Sequence, residues 1–310
     1  MSTEDVRDLS ATGSEAIDLI VEDQIYAAKV VKGATDQLYY AVQQASLILQ
    51  ENPKGRLIYA GAGTPARLGF SDGSELTPTF AWPVERVGYV IAGGEQAVLK
   101  AVEGAEDNKD HDAEKQMADL KISASDVVIA VSASGRTPFT VAAMQSAKEN
   151  GAFTIGVAHN TDAPLLKADA PILLETGAEI VGGSTRMKAG TAQAILLKSF
   201  STAVMNELGF VYNGFMVAVR PTNDKLKARA VGIIKDISGC SIEHAQKCLI
   251  HSEQHIKYGD VRVALLLATG KTLQDSVQLL ENNAWNFGKA LNQEAITFSG
   301  SSHVPSSDHP

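Results

Sequence analysis

The sequence predicts an α/β protein built on a doubly wound parallel sheet, with helices before the sheet and a small helical subdomain after it. Residues 56–69 and 126–139 each begin with an apolar, β-branched run and end in a loop of glycines and hydroxyl side chains. After the second segment comes a helical pattern, and then a further apolar run at 152–159. Strand, loop, helix and strand in this order form the crossover unit of a parallel sheet.

The elements before and within the sheet follow from local patterns. Residues 1–14 are polar, and we expect them to be flexible. Residues 16–49 alternate apolar and polar positions at helical spacing, which predicts two helices before the first strand. Pro138 suits the first turn of a helix, and Gly151 suits its end. The α/β core is predicted to run to about residue 216.

The C-terminal part of the chain changes character. Residues 236–293 contain three helical patterns separated by glycine or short polar turns, which predicts a small three-helix bundle. Ser241 together with Glu243 is typical of the start of the first of these helices. The segment 296–310 is rich in Ser, Pro and His, and we expect it to be disordered.

Composition excludes several classes of function. The 310 residues carry a net charge of −9, which argues against nucleic acid as a partner. No stretch approaches the roughly 20 apolar residues of a membrane helix, and the acidic start lacks a secretory apolar run, so we expect a cytoplasmic protein without a membrane partner. Cys240 and Cys248 match neither a disulfide framework nor a common zinc pattern.

Residues 182–193, reading GGSTRMKAGTAQ, form the most unusual segment. They combine glycines, hydroxyls and two cations, and the apolar run at 194–197 indicates that a helix begins inside the motif. Amide groups at a helix N-terminus, with hydroxyls and cations nearby, predict a site for an anionic or polyhydroxylated ligand. An ordinary Ser or Thr N-cap, the alternative, accounts for only one of the hydroxyls.

Several long motifs occur in the order known from one family: GAGTPARLG (61–69), DGSELTPTF (72–80), IAGGEQAVLKAVEGAED (91–107), SASGRTPF (132–139), GSTRMKAGTAQ (183–193) and NGFMVAVRPTNDKLKARA (213–230). Through them the chain resembles the N-acetylmuramic acid 6-phosphate etherases over most of residues 15–295. The resemblance implies a sugar isomerase (SIS) phosphosugar-binding domain at 15–230. It also implies a helical subdomain similar to UBA modules at 231–295.

The resemblance assigns catalytic roles to two carboxyl groups. Breaking a lactyl ether beside a sugar aldehyde needs one group to remove a proton and another to donate one. The family pattern gives Glu75 the proton-donor role and Glu106 the other catalytic position. Glu103 lies three residues before Glu106, so both would face the same way on a helix, with Glu103 near the sugar hydroxyls. The alternative for Glu75 is a solvated carboxylate in a loop. The alternative for Glu103 and Glu106 is a solvated acidic face of a helix.

The phosphate of the substrate is expected on the SASGRTPF segment, where hydroxyls and backbone amides precede a helix. The residues expected to bind the substrate there and in the neighbouring motifs are Ser132, Ser134, Gly135, Thr137, Thr64, Ser184 and Lys188. Arginine suits both a phosphate and the lactate carboxylate. The candidates are Arg67, Arg136 and Arg186, and the sequence does not assign either anion to any of them.

The resemblance also bears on cofactors and partners. It implies no cofactor and no metal, and a site completed across a homodimer. Helices near 16–49 and 190–208 are candidate dimer contacts. His251 and His255 have the i,i+4 spacing of a metal-binding pair, but the Gly-rich loops lie elsewhere in the sequence, and a surface pair is the favoured interpretation.

Two positions depart from the family pattern. Pro65-Ala66 follows GAGT where the family commonly has Ser-Gly, so a hydroxyl and a backbone N–H are lost from the loop. Phe80-Ala81 stands where an aromatic residue followed by glycine is usual.

The resemblance leads to one leading hypothesis and two alternatives. The leading one is a lyase that converts N-acetylmuramic acid 6-phosphate and water into N-acetylglucosamine 6-phosphate and D-lactate, in cell-wall amino sugar recycling or catabolism. The alternatives are a phosphosugar-binding regulator without catalysis, as in the similar glucokinase regulatory protein, and a sugar phosphate isomerase of the SIS class. The presence of both Glu75 and Glu106 favours the lyase, whereas Pro65 slightly favours the regulator.

Overall fold

The computed structural model describes residues 12–108, 111–257 and 259–298. The chain divides into two compact units. The first comprises Met1–Glu75 and Pro83–Val204, and the second comprises Leu76–Trp82 and Met205–Pro310. The predicted flexible segment falls largely outside the described residues, since only 12–14 are described, and the first helix begins at Gly13. Of the predicted disordered tail, residues 299–310 lie outside the described part.

The first unit is built on a five-stranded sheet in which every neighbouring pair is parallel, in the order β2-β1-β3-β4-β5. The strands are β1 Leu57–Gly61, β2 Val87–Ile91, β3 Val127–Val131, β4 Phe153–Ala158 and β5 Ala170–Leu173. Both β1 and β3 are buried along their whole length, which explains their unbroken apolar sequences. The predicted parallel sheet is therefore confirmed.

The described residues up to Glu207 contain seven α-helices in addition to the sheet. They are α1 Gly13–Gly33, α2 Thr35–Glu51, α3 Thr64–Phe80, α4 Gln96–Leu99, α5 Asp112–Asp119, α6 Pro138–Glu149 and α7 Lys188–Glu207. The two N-terminal helices are present as predicted. Helix α6 begins at Pro138, and Gly151 follows its end with a φ of 80°, as its sequence pattern predicts.

The second unit is helical, which confirms the predicted C-terminal subdomain, but the predicted number of three helices is wrong. Its described residues form a short hairpin, β6 Val211–Tyr212 with β7 Phe215–Met216, and the helices α8 Asp224–Ser238, α9 Ile242–Ser252, α10 Val261–Ala268, α11 Leu273–Asn282 and α12 Phe287–Gln293. The third predicted pattern is divided because Ala284 and Trp285 have left-handed backbone conformations. Asn286 then caps α12 by accepting a hydrogen bond from the Lys289 amide.

Helix α10 is the centre of this second unit. All its residues from Val261 to Leu267 are buried. Arg262 is buried too, and Asp260 accepts hydrogen bonds from its side chain while the guanidinium lies over the Phe210 and Trp285 rings. No helix in the described part of the chain is long and apolar enough to cross a membrane.

Helix α3 ends in a strained conformation. Ala81, which follows its last residue, has a φ of 54°, and its amide donates to the Thr77 carbonyl. A left-handed residue at this position is commonly glycine, because a Cβ there costs about 1 kcal/mol. This is the position where the resembling family usually has glycine.

We expect Ala81→Gly to raise the free energy of unfolding by about 1 kcal/mol, since the strain removed outweighs the extra freedom of the unfolded chain. Ala228→Gly is the matched control, because Ala228 is an exposed residue inside α8 and its replacement should destabilise by about 0.5–1 kcal/mol. Urea unfolding of both variants measures the two effects. A destabilising Ala81→Gly would contradict the strain argument.

Candidate functional site

A cavity of about 350 Å³ lies at the carboxyl ends of the central strands. The strand order reverses between β1 and β3, and ligands of doubly wound sheets bind in the crevice at such a reversal. The residues that line the cavity are Ala62, Gly63, Thr64, Pro65, Arg67, Ala92, Ala97, Ala101, Val102, Glu103, Glu106, Ser132, Ala133, Ser134, Thr137 and Thr185. The segments that follow β1, β2 and β3 therefore supply most of its walls.

The second unit contains a larger cleft, of about 750 Å³, between α8 and α9. Its walls are mainly apolar, with Val231, Ile242, Leu249 and Ile250 among the lining residues, and none of the predicted site residues lies there. The smaller cavity gathers hydroxyls and carboxylates at a strand-order reversal, so we take it as the candidate site.

The loop after β3 holds its hydroxyls close together. The Ser132 hydroxyl lies 2.8 Å from that of Thr137 and 3.3 Å from that of Ser134. The Gly135 amide donates to the Ser132 hydroxyl, and the Arg136 amide donates to the Ser134 hydroxyl. Helix α6 begins directly after Thr137. The Thr137 side chain does not accept a hydrogen bond from the first amide groups of this helix. The loop thus combines hydroxyls with an uncapped helix N-terminus, the chemistry that binds phosphate.

Gly135 shapes this loop without lining the cavity. Its φ is 65°, and a Cβ there would lie 2.4 Å from the Ala163 Cβ and 2.7 Å from the Ala158 Cβ. Its carbonyl accepts a hydrogen bond from the Leu165 amide. Only glycine fits this position, so Gly135 sets the path of the loop.

Glu103 and Glu106 both line the cavity, but the predicted shared helix is wrong. Gly104 between them has a φ of 85°, and Glu106 lies in a short 3-10 turn, Ala105–Asp107. Glu103 is exposed and Glu106 is half-buried. The left-handed glycine, and not helical periodicity, brings the two carboxylates to the same cavity.

Glu75 is not at the cavity formed by its own chain. It lies on α3, not in the loop considered as an alternative, and its side chain is exposed. Thr64, at the start of the same helix, lines the cavity, whereas Glu75 follows eleven residues later, about 16 Å along the helix axis. A ligand in this cavity is therefore out of reach of the Glu75 side chain.

The N-terminus of α7 is occupied by a carboxylate of the protein itself. Glu179 accepts hydrogen bonds from the Lys188 and Ala189 amides, each 2.9 Å long. The Lys188 ammonium, which is buried, donates to Asp23 at 2.8 Å and to the Ala178 carbonyl. The anion site predicted at this helix start is thus filled internally, and Lys188 is committed to other partners.

Ser184 is half-buried outside the cavity, and its neighbour Thr185 lines the cavity instead. Thr185 therefore belongs to the candidate site, although it was not among the predicted site residues. Its position directly after Ser184 in the motif was the sequence feature that could have predicted its place at the site. The small apolar residues Ala97, Ala101 and Val102 were also not predicted, because nothing in their local sequence distinguishes them from core positions.

The three candidate arginines differ in position. Arg67 lines the cavity, and its guanidinium donates to the Ala97 carbonyl at 3.1 Å and to the Lys100 carbonyl at 3.4 Å. Arg136 forms an ion pair with Asp162 and is not among the lining residues. Arg186 is exposed outside the cavity. Arg67 is therefore the candidate best placed to meet a ligand anion.

A half-buried histidine, His159, contacts the loop after β3 through its backbone. The His159 amide donates to the Ala133 carbonyl, and its ring nitrogens lie 3.0 Å from the Thr176 hydroxyl and 3.1 Å from the Gln193 amide nitrogen. Burial lowers the pKa of His159 to about 4. The imidazole is therefore neutral near pH 7, as a ring packed between neutral polar groups requires.

Among the described residues, no group of three or more His, Cys, Asp or Glu side chains is arranged to hold a metal ion. Helix α9 ends at Ser252, so His251 lies on it, whereas His255 lies beyond its end and stacks on Trp285. The i,i+4 spacing of these two histidines therefore does not place them on one helix face.

Comparison with known proteins shows that the chain is similar to SIS-domain proteins and to N-acetylmuramic acid 6-phosphate etherases. Residues 40–148 match the model of the glucokinase regulatory protein N-terminal SIS domain, and residues 109–203 match that of the SIS domain. An N-acetylmuramic acid 6-phosphate etherase from Deinococcus radiodurans is 43% identical over 96% of this chain and 96% of its own length. One from Exiguobacterium is 42% identical over 82% of this chain and 85% of its own length.

A solved structure of phosphoheptose isomerase from Neisseria gonorrhoeae is also similar to this chain. It is 17% identical, with a TM-score of 0.48, and the match covers 63% of this chain and 100% of the isomerase.

The pKa of His159 predicts a pH dependence of stability. Between pH 6.5 and about 4 the imidazole binds a proton in the unfolded chain but not in the folded one. The free energy of unfolding therefore decreases as the pH is lowered from 6.5 to 4, by up to roughly 3 kcal/mol. His159→Gln should flatten this slope in urea unfolding experiments at a series of pH values from 7 to 4. The exposed His244, replaced in the same way, is the control and should leave the slope unchanged. An unaltered slope in His159→Gln would contradict the assignment.

Proposed function

The chain belongs to the N-acetylmuramic acid 6-phosphate etherase family, and on this premise we propose that it is a carbon–oxygen lyase. Its substrates would be N-acetylmuramic acid 6-phosphate and water, and its products N-acetylglucosamine 6-phosphate and D-lactate. The observation that carries the proposal is the single cavity in which the hydroxyl loop after β3 faces Glu103 and Glu106. This arrangement offers a phosphate site and a basic group within one small volume.

The substrate binds with its phosphate on the loop of Ser132, Ser134 and Thr137. These hydroxyls, with the first amides of α6, donate hydrogen bonds to the phosphate oxygens. Thr64 and Glu103 contact the sugar hydroxyls from the other walls. The apolar wall of Ala97, Ala101 and Val102 suits the methyl groups of the acetamido and lactyl substituents, which are otherwise exposed to water.

The first chemical step is removal of a proton. In the ring-opened sugar the aldehyde acidifies the hydrogen on carbon 2, and the Glu106 carboxylate takes this proton. The electron pair forms a double bond between carbons 2 and 3, and the bond from carbon 3 to the lactyl oxygen breaks. Water then adds at carbon 3 while carbon 2 regains a proton, which gives the amino sugar product.

The departing lactate oxygen needs a proton, and Glu75 is the proposed donor. Since Glu75 lies about three helical turns from the cavity of its own chain, it acts on a substrate bound to a second copy. The proposed enzyme is therefore a homodimer in which each site combines Glu106 of one chain with Glu75 of the other. No cofactor takes part in these steps.

An apolar surface on the N-terminal helices supports this dimer. Only Asp23, Ala27 and Val31 of the 21 residues of α1 are buried in the single chain. Large apolar side chains remain exposed on α1 and α2, namely Ile17, Leu19, Val21, Ile25, Tyr26, Tyr39, Tyr40 and Leu47. Exposed apolar patches of this kind mark interaction surfaces, so we propose that α1 and α2 contribute the contact between copies.

The substrate and its origin complete the proposal. We propose that the enzyme acts in the cytoplasm, in the recycling or catabolism of cell-wall amino sugars. Incubation of the purified chain with this substrate and an assay for free D-lactate tests the function. Binding without lactate release would favour a phosphosugar-binding regulator, and conversion without lactate release would favour an isomerase.

Mixing two inactive variants tests the shared site. We expect Glu75→Gln and Glu106→Gln each to lower lactate release by at least ~10²-fold, the usual contribution of an acid or base. After unfolding and refolding together in equal amounts, half of the dimers are mixed, and one of their two sites is intact. Activity should therefore recover to about a quarter of the wild-type value. The controls are each variant refolded alone. Failure of the mixture to recover would place both residues in one chain's site.

Solvent isotopes test the elimination route. In D₂O the product should carry deuterium on carbon 2, because Glu106 removes the original proton and solvent supplies the new one. In H₂¹⁸O the label should enter the sugar and not the lactate, because water attacks carbon 3. Mass spectrometry of both products measures the labels. Product made in D₂O without deuterium on carbon 2 would exclude this route, even for an active etherase.

A further inference from the structure

Asp72 is a buried carboxylate that the proposed reaction does not use. It lies on α3, three residues before Glu75, and only 8% of its surface is exposed. The Tyr59 hydroxyl on β1 donates to one of its oxygens at 2.7 Å. The Ser201 hydroxyl on α7 donates to the other at 3.1 Å. A single side chain thus joins three elements of the first unit.

The surrounding helix face is packed closely against tyrosines. A Cβ on Gly73 would lie 2.7 Å from the Tyr89 hydroxyl and 2.9 Å from the Tyr59 ring, and one on Gly69 would lie 3.0 Å from the Tyr59 Cβ. Glycine at both positions allows α3 to lie directly on the tyrosine side chains. Burial raises the pKa of Tyr59, and the Asp72 charge adds to this effect, so the phenol remains a donor.

We propose that Asp72 is a positioning residue, which fixes the turn of α3 that carries Glu75 through the hydrogen bonds accepted from Tyr59 and Ser201. Residues three apart are neighbours on a helix, so any rotation of the Asp72 turn also rotates Glu75. The inference rests on the proposed role of Glu75 as the proton donor.

The two hydrogen bonds to Asp72 restrict rotation of α3 about its axis, which apolar packing alone does not do. Apolar burial is non-directional and would tolerate a small rotation of α3 about its axis. A carboxylate about 6 Å from that axis moves by about 1 Å for a rotation of about 10°. A displacement of that size is enough to cost about 10²-fold in rate. Two directional bonds to opposite oxygens of one carboxylate restrict this rotation.

Hydrogen exchange tests the physical premise without any assay of activity. Asp72→Asn keeps the size of the side chain but can accept only one of the two hydroxyl protons through its single carbonyl oxygen. We expect exchange of the backbone amides at 70–80 to become at least about tenfold faster in the full-length protein. Ser201→Ala removes one bond only and should give a smaller change in the same segment.

The matched control is Thr154→Val. Thr154 is also buried and also donates to a carboxylate, that of Asp169, but it lies near the start of β4, at the sheet edge opposite the cavity. Its replacement should leave exchange at 70–80 and the rate of lactate release unchanged.

Kinetics then test the link to Glu75. Asp72→Asn should lower kcat for lactate release by about 10–10²-fold while KM stays within about threefold, because the binding cavity is intact. In the Glu75→Gln background, Asp72→Asn should lower kcat by less than about threefold, because the Glu75 carboxyl that Asp72 positions is already absent. Ser201→Ala should lower kcat by a smaller factor, again only when Glu75 is present. This variant replaces Asp72→Asn in the test if Asp72→Asn does not fold.

The outcomes separate the two proposals. Equal losses with and without Glu75 would overturn the positioning role, and so would unchanged exchange at 70–80 in Asp72→Asn. A wild-type protein that releases no lactate would instead refute the proposed function, while the exchange experiment would still decide whether Asp72 immobilises this turn.

Discussion

The close approach of backbone to backbone at the carboxyl ends of β1 and β3 is the constraint on which the candidate site depends. A Cβ on Gly61, the last residue of β1, would lie 3.1 Å from the Ala66 amide nitrogen and 3.2 Å from the Val131 carbonyl. Because Gly61 carries no side chain, the loop after β1 comes close to the end of β3. Gly135 meets a different limit, since a Cβ there would overlap the Ala158 and Ala163 side chains. A bulkier residue at Gly61 would separate Thr64 from the hydroxyl loop after β3.

The N-termini of α6 and α7 are used in different ways. At α7, Glu179 satisfies the first amides, so this start is part of the folded core. At α6, Thr137 provides no side-chain cap, and the amides remain available beside the hydroxyl loop. An anion entering the cavity therefore meets the N-terminus of α6 and that of α3, where Thr64 lines the cavity, but not that of α7. The distinction assigns the most unusual sequence motif mainly to architecture, and it supports the proposed role of the less conspicuous SASGRT segment in recognition.

The sequence predicted the features that local patterns record. Buried strands such as β3 are continuous apolar runs, and the hydroxyls of Thr64, Ser132, Ser134 and Thr137 follow strands that end at the same edge of the sheet. Long-range pairs leave no local trace, and Lys188 contacts Asp23 across 165 residues. Left-handed residues were the other source of error. Gly104 interrupts the predicted Glu103–Glu106 helix, and Ala284 with Trp285 separates α11 from α12.

The buried pair of Lys188 and Asp23 has an evolutionary consequence. Both side chains are almost fully inaccessible to water, at 1% and 0% exposure. Loss of either partner leaves the other charge buried, at a cost of about 3–5 kcal/mol, which is a large part of the stability of a domain. The two positions should therefore covary through compensating substitutions. If Lys188 is instead the same in all relatives, the stability of the fold is sufficient to explain it. Its place within a motif that suggests ligand binding is then not the reason.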